Sequence, residues 1–232
     1  MLNTNTRAVL SQLGAINNSM IITYPITTVI MGKNMQAFLD VRKLDEEPFE
    51  EIGVFSINEF NSVINVIDNP VIENQNGTLL ISNENTSIKY GTTSIDIIES
   101  ECRGKPGLLE KIQTNPDNTK VLSFELSVKE LDRLKKMSGL LKDLSDLVIT
   151  GEGDTVNLKV TSKEKSSNNY TVNIEGEVNE EVSMRLVMDV VNKLPASNYS
   201  VSIYKSAKGS LVSVFTSTNV EGLSIVLSAK AD

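Results

Sequence analysis

A repeated order of secondary-structure signals constrains what this chain can fold into. Amphipathic helical patterns begin near Thr4 and Ile57, and two more begin near Val128 and Glu181, with the same separation in each pair. Short alternating runs, typical of antiparallel strands, follow these helical patterns. The order helix, strands, helix, strands therefore occurs twice, which predicts two copies of one α+β module and an object with internal symmetry.

Capping signals and strand patterns locate the elements. Ser56 with Glu59, and Ser127 with Glu130, match the capping box that opens a helix. A fourth helix is predicted over Glu181–Leu194 because Pro195 would end it. Strands are predicted at Met20–Tyr24, Thr27–Met31, Gln36–Lys43, Phe49–Phe55, Val71–Glu73, Thr78–Ser82, Thr86–Tyr90, Thr93–Ile98, Lys120–Leu126, Leu147–Thr150, Thr155–Thr161, Asn169–Glu175, Ser200–Tyr204, Ser210–Thr216 and Gly222–Leu227.

The stretch Glu99–Asn118 interrupts this pattern with glycines, prolines and mixed charges, so it is predicted to be a linker. We therefore assign residues 1–110 to an N-terminal domain that includes the start of the linker, and residues 111–232 to a C-terminal domain. The chain has 232 residues and is 40% hydrophobic, which is enough for two cores of ordinary domain size.

Composition excludes most kinds of catalysis. The chain has no histidine, which removes Ser-His and Cys-His dyads and histidine-ligated metals. The P-loop and GxGxxG patterns are also absent, and no Ser-x-x-Lys of the penicillin-binding type appears. The turn Gly151–Asp154 lies between two predicted strands, so it indicates a hairpin rather than a phosphate-binding loop. We expect no enzymatic activity, no cofactor and no metal site.

The sequence also lacks a signal for export. Its N-terminus has no apolar segment behind a basic one, and no run approaches the ~20 apolar residues of a membrane span. The single cysteine, Cys102, cannot form an internal disulfide and would stay reduced in the cytoplasm. A cytoplasmic location is therefore expected.

Charge is distributed unevenly. The net charge of −8 argues against a protein that grips nucleic acid with its whole surface. However, acidic residues cluster in loops such as Asp45–Glu51 and Glu175–Glu181, whereas Lys129, Arg133 and Lys136 follow one another at helical spacing. These three cations predict a basic stripe on the third helix, with an ordinary solvated face as the alternative.

Several local sequences resemble the DNA sliding clamps of T4-like bacteriophages, and the resemblance extends over nearly the whole chain. The segments that carry it are Ser127–Leu131, Met137–Leu140, Pro195–Tyr199 before an apolar strand, Lys208-Gly209 before another, and Val226–Ala229 near the end. The two-module order agrees with the same family. All of these similarities are structural, and none is a catalytic signature.

The resemblance implies an α+β DNA-clamp fold, in which two duplicated domains each pack two helices on antiparallel sheets and assemble into a closed ring. It further implies a head-to-tail homotrimer that encircles duplex DNA without regard to sequence and tethers the replicative DNA polymerase. An ATP-dependent clamp loader would be a further partner. If the chain is encoded by a phage, its place of action would be the cytoplasm of an infected bacterial host.

The resemblance also implies three sets of functional residues. DNA-facing residues would be Lys129, Arg133 and Lys136, then Arg7 and Arg185, with Lys135 and Lys142 at the flanks. The subunit interface would join edge strands Thr93–Ile98 and Asn169–Glu175 through Thr93, Ile95, Ile97, Tyr170, Val172 and Ile174. A pocket for partner peptides beside the linker would include Leu108, Leu109, Ile112, Pro195, Leu227 and Ala229.

Alternatives remain for these assignments. Arg185 could instead pair with Asp189 one helical turn away, and the pocket residues could simply cover the core. The whole chain could be a β-rich structural or virion protein with duplicated domains and no DNA role. It could also be a different ring-forming replication accessory with no DNA in its hole.

Overall fold

The computed structural model describes residues 2–68, 70–75, 77–141, 143–162 and 168–230. The chain forms two compact units. The first comprises Met1–Gly32, Gln36–Pro106 and Glu221–Leu223, and the second comprises Lys33–Met35, Gly107–Val220 and Ser224–Asp232. The main division lies between Pro106 and Gly107, a few residues before the predicted boundary after residue 110.

The first unit combines helices with small antiparallel sheets. Strands β1 and β4 pair with each other, β2 lies beside β3, and β5, β6 and β7 form a sheet in that order. The elements are α1 (Thr4–Leu13), β1 (Met20–Ile22), β2 (Ile26–Met31), β3 (Met35–Asp40), β4 (Ile52–Val54), α2 (Ile57–Ile64), β5 (Val71–Asn74), β6 (Thr78–Ser82), β7 (Ser87–Gly91) and α3 (Ile95–Cys102).

Helices α1 and α2 form where the sequence predicts them, and they contact each other. The Asn3 side chain caps α1 by accepting from the Thr6 backbone N–H at 2.9 Å. Asn61 of α2 donates to the Ser11 hydroxyl of α1 at 2.7 Å. Gly14 follows α1, and a Cβ there would lie 2.7 Å from the Ile57 side chain. A larger residue at position 14 would therefore push the two helices apart.

The second unit is built on one antiparallel sheet with the strand order β12-β9-β10-β11-β8-β13-β14-β15. Its elements are α4 (Leu108–Thr114), β8 (Asn118–Leu126), α5 (Val128–Leu140), β9 (Asp146–Glu152), β10 (Thr155–Thr161), β11 (Tyr170–Val178), β12 (Ser183–Val187), α6 (Met188–Val191), β13 (Tyr199–Ser206), β14 (Leu211–Ser217) and β15 (Leu223–Ser228).

Strand β11 changes partner along its length. Its first part, Tyr170–Glu175, pairs with β10, and its last part, from Gly176 to Val178, pairs with β8. Gly176 stands at the change, where a Cβ would lie 2.7 Å from the Ser123 carbonyl oxygen. Within the described residues, Tyr170–Glu175 therefore has a strand partner on the β10 side only.

Helix α5 also confirms its prediction. The Ser127 hydroxyl accepts from the Glu130 N–H at 3.2 Å, and the Glu130 carboxylate accepts from the Ser127 N–H at 3.0 Å, which completes the capping box. Leu131 and Leu134 are fully buried. The helix thus has an apolar side against the sheet and a polar side in solvent.

The predicted strand Thr93–Ile98 is wrong, because most of it belongs to helix α3. Ile98 and Cys102 are one helical turn apart, and both are buried with Ile21. This packing at helical spacing overrides the strand preference of the isoleucines in the segment. The last strand of the first unit is β7, and the linker segment contains helix α4, which the sequence did not predict.

The predicted helix Glu181–Leu194 is also largely wrong. Met184 and Leu186 are buried while Ser183, Arg185 and Val187 are more exposed, which is the two-residue period of a strand, and β12 pairs with β9. Only the single turn α6 is helical. None of the helices in the described ranges is long and apolar enough to cross a bilayer.

Tyr199 provides a test of how the second unit is packed. It is fully buried, its hydroxyl donates to the Pro195 carbonyl at 2.8 Å, and its ring meets Phe215 edge-on. Burial raises the pKa of the Tyr199 hydroxyl. The folded protein keeps this group neutral while the unfolded chain ionises it near about pH 10, so stability falls as the pH rises above that value.

We therefore expect Tyr199→Phe to lower the free energy of unfolding by about 1–3 kcal/mol at pH 7, because the Pro195 carbonyl loses its donor. The variant should also lose less stability than the wild type between about pH 9 and 11, since it has no phenol to ionise. Urea unfolding across this range measures both effects, with Tyr204→Phe on the same strand as control. Equal alkaline losses in wild type and Tyr199→Phe would contradict the assignment.

Candidate nucleic-acid and partner surfaces

The basic stripe of α5 lies in solvent. Lys129, Arg133 and Lys136 are all exposed, and Asp132 is exposed on the same side of the helix. Residues three or four apart on a helix are neighbours, so the three cations form a continuous row. None of them forms an ion pair with another described residue. Their charge is therefore available to an anionic ligand.

The other predicted DNA-facing cations have different surroundings. Lys135 donates to the Leu194 carbonyl at 2.5 Å, and burial lowers its pKa. Arg7 is half-buried and donates to the side chains of Asn65 and Thr4, and burial lowers its pKa as well. These two residues tie elements together inside their units. Lys142 lies outside the described residues.

Arg185 belongs to strand β12 rather than to a helix, and its partner is Asp146, not Asp189. The Arg185 Nη1 lies 2.9 Å from Asp146 Oδ2, and the Lys230 Nζ lies 2.5 Å from Asp146 Oδ1. The Asp146 side chain is fully buried. Asp189 is exposed on α6. The sequence did not indicate this cluster, because Asp146 is 39 residues from Arg185 and 84 from Lys230.

Three of the predicted pocket residues meet in one cleft of the second unit, with a volume of about 690 Å³. These are Leu108, Ile112 and Ala229. The cleft is also lined by apolar residues of the sheet, by the Arg185 and Lys230 side chains, and by several polar groups. These further lining residues are Leu211, Val212, Val226, Asn118, Ser183, Arg185, Ser206, Gly209, Ser210, Ser228 and Lys230.

The other three predicted pocket residues lie elsewhere. Leu109 is half-buried on α4 but does not line the cleft. Pro195 is buried, with its carbonyl bound by Tyr199. Leu227 is fully buried on β15, where its side chain belongs to the core. Side chains alternate between the two faces of a strand, so Leu227 faces the core while its neighbours Val226 and Ser228 reach the cleft.

Each unit has a strand edge with hydrogen-bonding groups to offer. In the first unit, β7 pairs with β6 and with no other strand of the described chain. In the second, the corresponding segment is Tyr170–Glu175 of β11. The predicted interface residues Thr93, Ile95 and Ile97 are not on a strand, and Ile97 is 74% exposed on α3.

The two edges have the same two-faced pattern. On β7, half-buried Ile88 and Tyr90 lie opposite core residues of β6, while Lys89 between them is exposed. On β11, the half-buried residues are Tyr170, Val172 and Ile174, and the exposed ones are Thr171, Asn173 and Glu175. Each edge thus has an apolar side and a polar side, with a cation on one edge and a carboxylate on the other.

The described residues contain no group of three or more acidic or cysteine side chains that could hold a metal ion. The sites with evident chemistry are therefore the α5 stripe, the cleft and the two strand edges. All of them suit binding to another macromolecule.

Known proteins resemble this chain in sequence and in fold. No family model matches the chain. The sliding clamp of Vibrio phage KVP40 is 25% identical over 207 residues, which are 88% of this chain and 90% of that protein. Among solved structures, the proliferating cellular nuclear antigen of Entamoeba histolytica has a TM-score of 0.65 at 15% identity, with 97% of this chain and 94% of that chain covered.

A second solved structure, the beta clamp of H. pylori, has a TM-score of 0.62 at 13% identity. The match covers 97% of this chain and 61% of that one. The predicted clamp fold, with helices packed on antiparallel sheets, is confirmed by these matches.

The Asp146 cluster yields a direct test. Asp146→Ala would leave two neighbouring cations without their buried carboxylate, so we expect unfolding free energy to fall by about 3–5 kcal/mol. Asp189→Ala removes an exposed carboxylate and should change stability by less than about 0.5 kcal/mol. Urea unfolding at neutral pH measures both. Similar losses in the two variants would mean that Asp146 does not hold the cluster.

Proposed function

We infer that this chain is a DNA sliding clamp of the kind found in T4-like bacteriophages, a ring that holds a DNA polymerase on duplex DNA for processive synthesis. The observation that carries this conclusion is the agreement between the phage clamp sequence match and the clamp fold over nearly the whole chain. Such a protein is not an enzyme, because it acts by encirclement. No observation favours the alternative of a β-rich structural or virion protein.

We propose that three copies close the ring head to tail, with β7 of one copy paired to Tyr170–Glu175 of the next. Heterologous contacts that close on themselves generate rings. The pairing would give hydrogen-bond partners to both strand edges, which otherwise invite aggregation. This proposal replaces the interface strand Thr93–Ile98, which the structure has as a helix.

The faces of the two edges support this pairing. If the sheets continue across the interface, Ile88 and Tyr90 meet the apolar side of β11, and Val172 and Ile174 gain burial. Lys89 then lies on the same side as Glu175. An opposite-charge pair across two strands adds a modest stabilisation and opposes a wrong register.

We propose that the α5 stripe faces the DNA inside the ring. Contacts to phosphates from Lys129, Arg133 and Lys136 are independent of sequence, and a few of them are weak enough to allow sliding. Encirclement, rather than affinity, would keep the ring on DNA. The net charge of −8 is then compatible with function, because most of the outer surface need not attract DNA.

The cleft lined by Leu108, Ile112 and Ala229 is the proposed binding site for peptides of the polymerase and of an ATP-dependent clamp loader. Apolar clefts with a few polar groups are the usual form of such sites. The proposed place of action is the cytoplasm of the infected bacterial host.

Topological linkage can be tested directly. Lys89→Cys and Glu175→Cys, introduced together, allow a bismaleimide to join neighbouring copies, and native Cys102 is buried. Rings closed in the presence of a circular plasmid should remain on it in about 1 M salt, which weakens phosphate contacts, and cutting the plasmid once should release them. Rings that dissociate from the uncut circle in salt would contradict encirclement.

The same assay tests the stripe. Reversing Lys129, Arg133 and Lys136 to Glu should leave the trimer mass unchanged but lower the yield of plasmid-linked rings several-fold, because each contributes to phosphate attraction. Lys159→Glu, an exposed lysine on β10, is the matched control. An unchanged yield after the triple reversal would remove α5 from the DNA-facing surface.

The subunit interface makes a separate prediction. Lys89→Glu alone and Glu175→Lys alone should each weaken trimer formation about 3- to 10-fold, because each places like charges across the interface. The double exchange should restore most of the affinity. Sedimentation over a range of concentrations measures this, with Lys159→Glu as control. A wild type that stays monomeric at every concentration would contradict the ring.

A further inference from the structure

The cleft of the second unit that we propose as the partner site, hereafter the partner cleft, has positively charged side chains in its lining. Arg185 and Lys230 both line it, and both contact Asp146. Two cations therefore share one carboxylate, which leaves one positive charge without a balancing negative charge in the cluster. No acidic side chain occurs among the described residues that line the cleft.

The positions of the charges direct this surplus toward the cleft. Asp146 is fully buried, whereas the Arg185 side chain is 35% exposed and that of Lys230 is 23% exposed. Each of the two Asp146 oxygens is occupied by one cation. Lysine has three donors and arginine five, so both retain N–H groups beyond those that Asp146 accepts.

The cations are also held in place before any ligand arrives. The Lys230 backbone N–H donates to the Arg185 carbonyl at 2.7 Å, and the Ala229 N–H donates to the Leu211 carbonyl. These bonds hold Ala229 against β14 and Lys230 against β12. Because the two side chains are already ordered, binding a carboxylate to them costs less conformational entropy. Because they are partly buried, their attraction to that carboxylate is screened less by solvent.

The lining of the cleft also includes an apolar wall, with Leu108 and Ile112 of α4 and Leu211 and Val226 of the sheet. The charged phosphates of a nucleic acid backbone are not stabilised by such a wall. A peptide with apolar side chains next to an acidic one fits both the apolar and the cationic residues of the lining.

We propose that the cleft selects partner segments in which apolar residues are accompanied by an aspartate or glutamate, whose side-chain carboxylate binds Arg185 and Lys230. This rests on the proposed function of the cleft as the partner site. Carboxylates accept paired N–H groups from arginine with good geometry, and such charge-assisted bonds are stronger than neutral ones.

The test begins with selection of dodecapeptides from a random library on the full chain. Selected peptides should be apolar and enriched in Asp or Glu. For one of them, labelled and amidated at its C-terminus, replacing the acidic residue by its amide should weaken binding about tenfold in fluorescence anisotropy. This difference should shrink as ionic strength rises.

Variants of the protein test whether Lys230 causes the preference for the acidic peptide. Lys230→Gln should remove most of the preference for the acidic peptide over its amide form, whereas Lys230→Arg, which keeps the charge, should retain it. Lys159→Gln should change neither. Thermal unfolding of Lys230→Gln establishes that it is folded, and the salt dependence of the wild type tests the proposal without any variant.

Leu211→Gln makes the apolar wall polar. It separates the proposal that the cleft binds partner peptides from the proposal that it selects peptides with an acidic side chain. If it abolishes binding while acidic and amide peptides bind the wild type equally, the carboxylate proposal fails and the partner cleft stands. If only peptides with a free C-terminal carboxylate bind, the side-chain proposal fails in favour of a chain terminus. If no selected peptide responds to Leu211→Gln, both proposals fail.

Discussion

Backbone N–H and C=O groups at a strand edge must find hydrogen-bond partners, and this requirement underlies the proposed assembly. The chain covers one of its edges itself, because the Lys230 N–H donates to Arg185 on the outermost strand β12. Strand β7 and the first part of β11 have no such cover among the described residues. An edge with an apolar side, a polar side and a charge opposite to that of the other edge is suited to a specific partner.

The acidic net charge is easier to understand when the positions of the charged residues are considered. A protein that binds DNA by affinity needs many cations to displace counterions, and this chain has too few for its acids. A ring needs only enough local positive charge to make the inner wall acceptable to phosphate. If α5 faces the hole, as proposed, its stripe of three exposed cations beside one exposed acid meets that smaller requirement.

Sequence patterns predicted the elements whose signals are local. Helix α5 was foreseen from Ser127, Glu130 and the spacing of its leucines, since caps and periodicity act within a few residues. The helix predicted over Glu181–Leu194 is wrong because its apolar residues suit a helix face and a strand equally well. These residues are Leu186, Val187, Val190 and Val191. Pairing with β9 decides in favour of the strand. The alternative pairing of Arg185 with Asp189 is wrong for the same reason, since Asp146 becomes the neighbour of Arg185 only after the sheet has formed.

The Asp146 cluster is difficult to explain by stability alone. Removing charges from water costs several kcal/mol per ion, and well-packed apolar residues of similar volume often stabilise a fold as well or better. A buried carboxylate at this place does something that an apolar residue could not: it orients two cations that line the cleft. Because Asp146 neutralises only one of them, the cluster keeps a fixed positive charge in the cleft that we propose to bind a partner's carboxylate. The ion pairs are thus better understood as a means of positioning charge than as a source of folding energy.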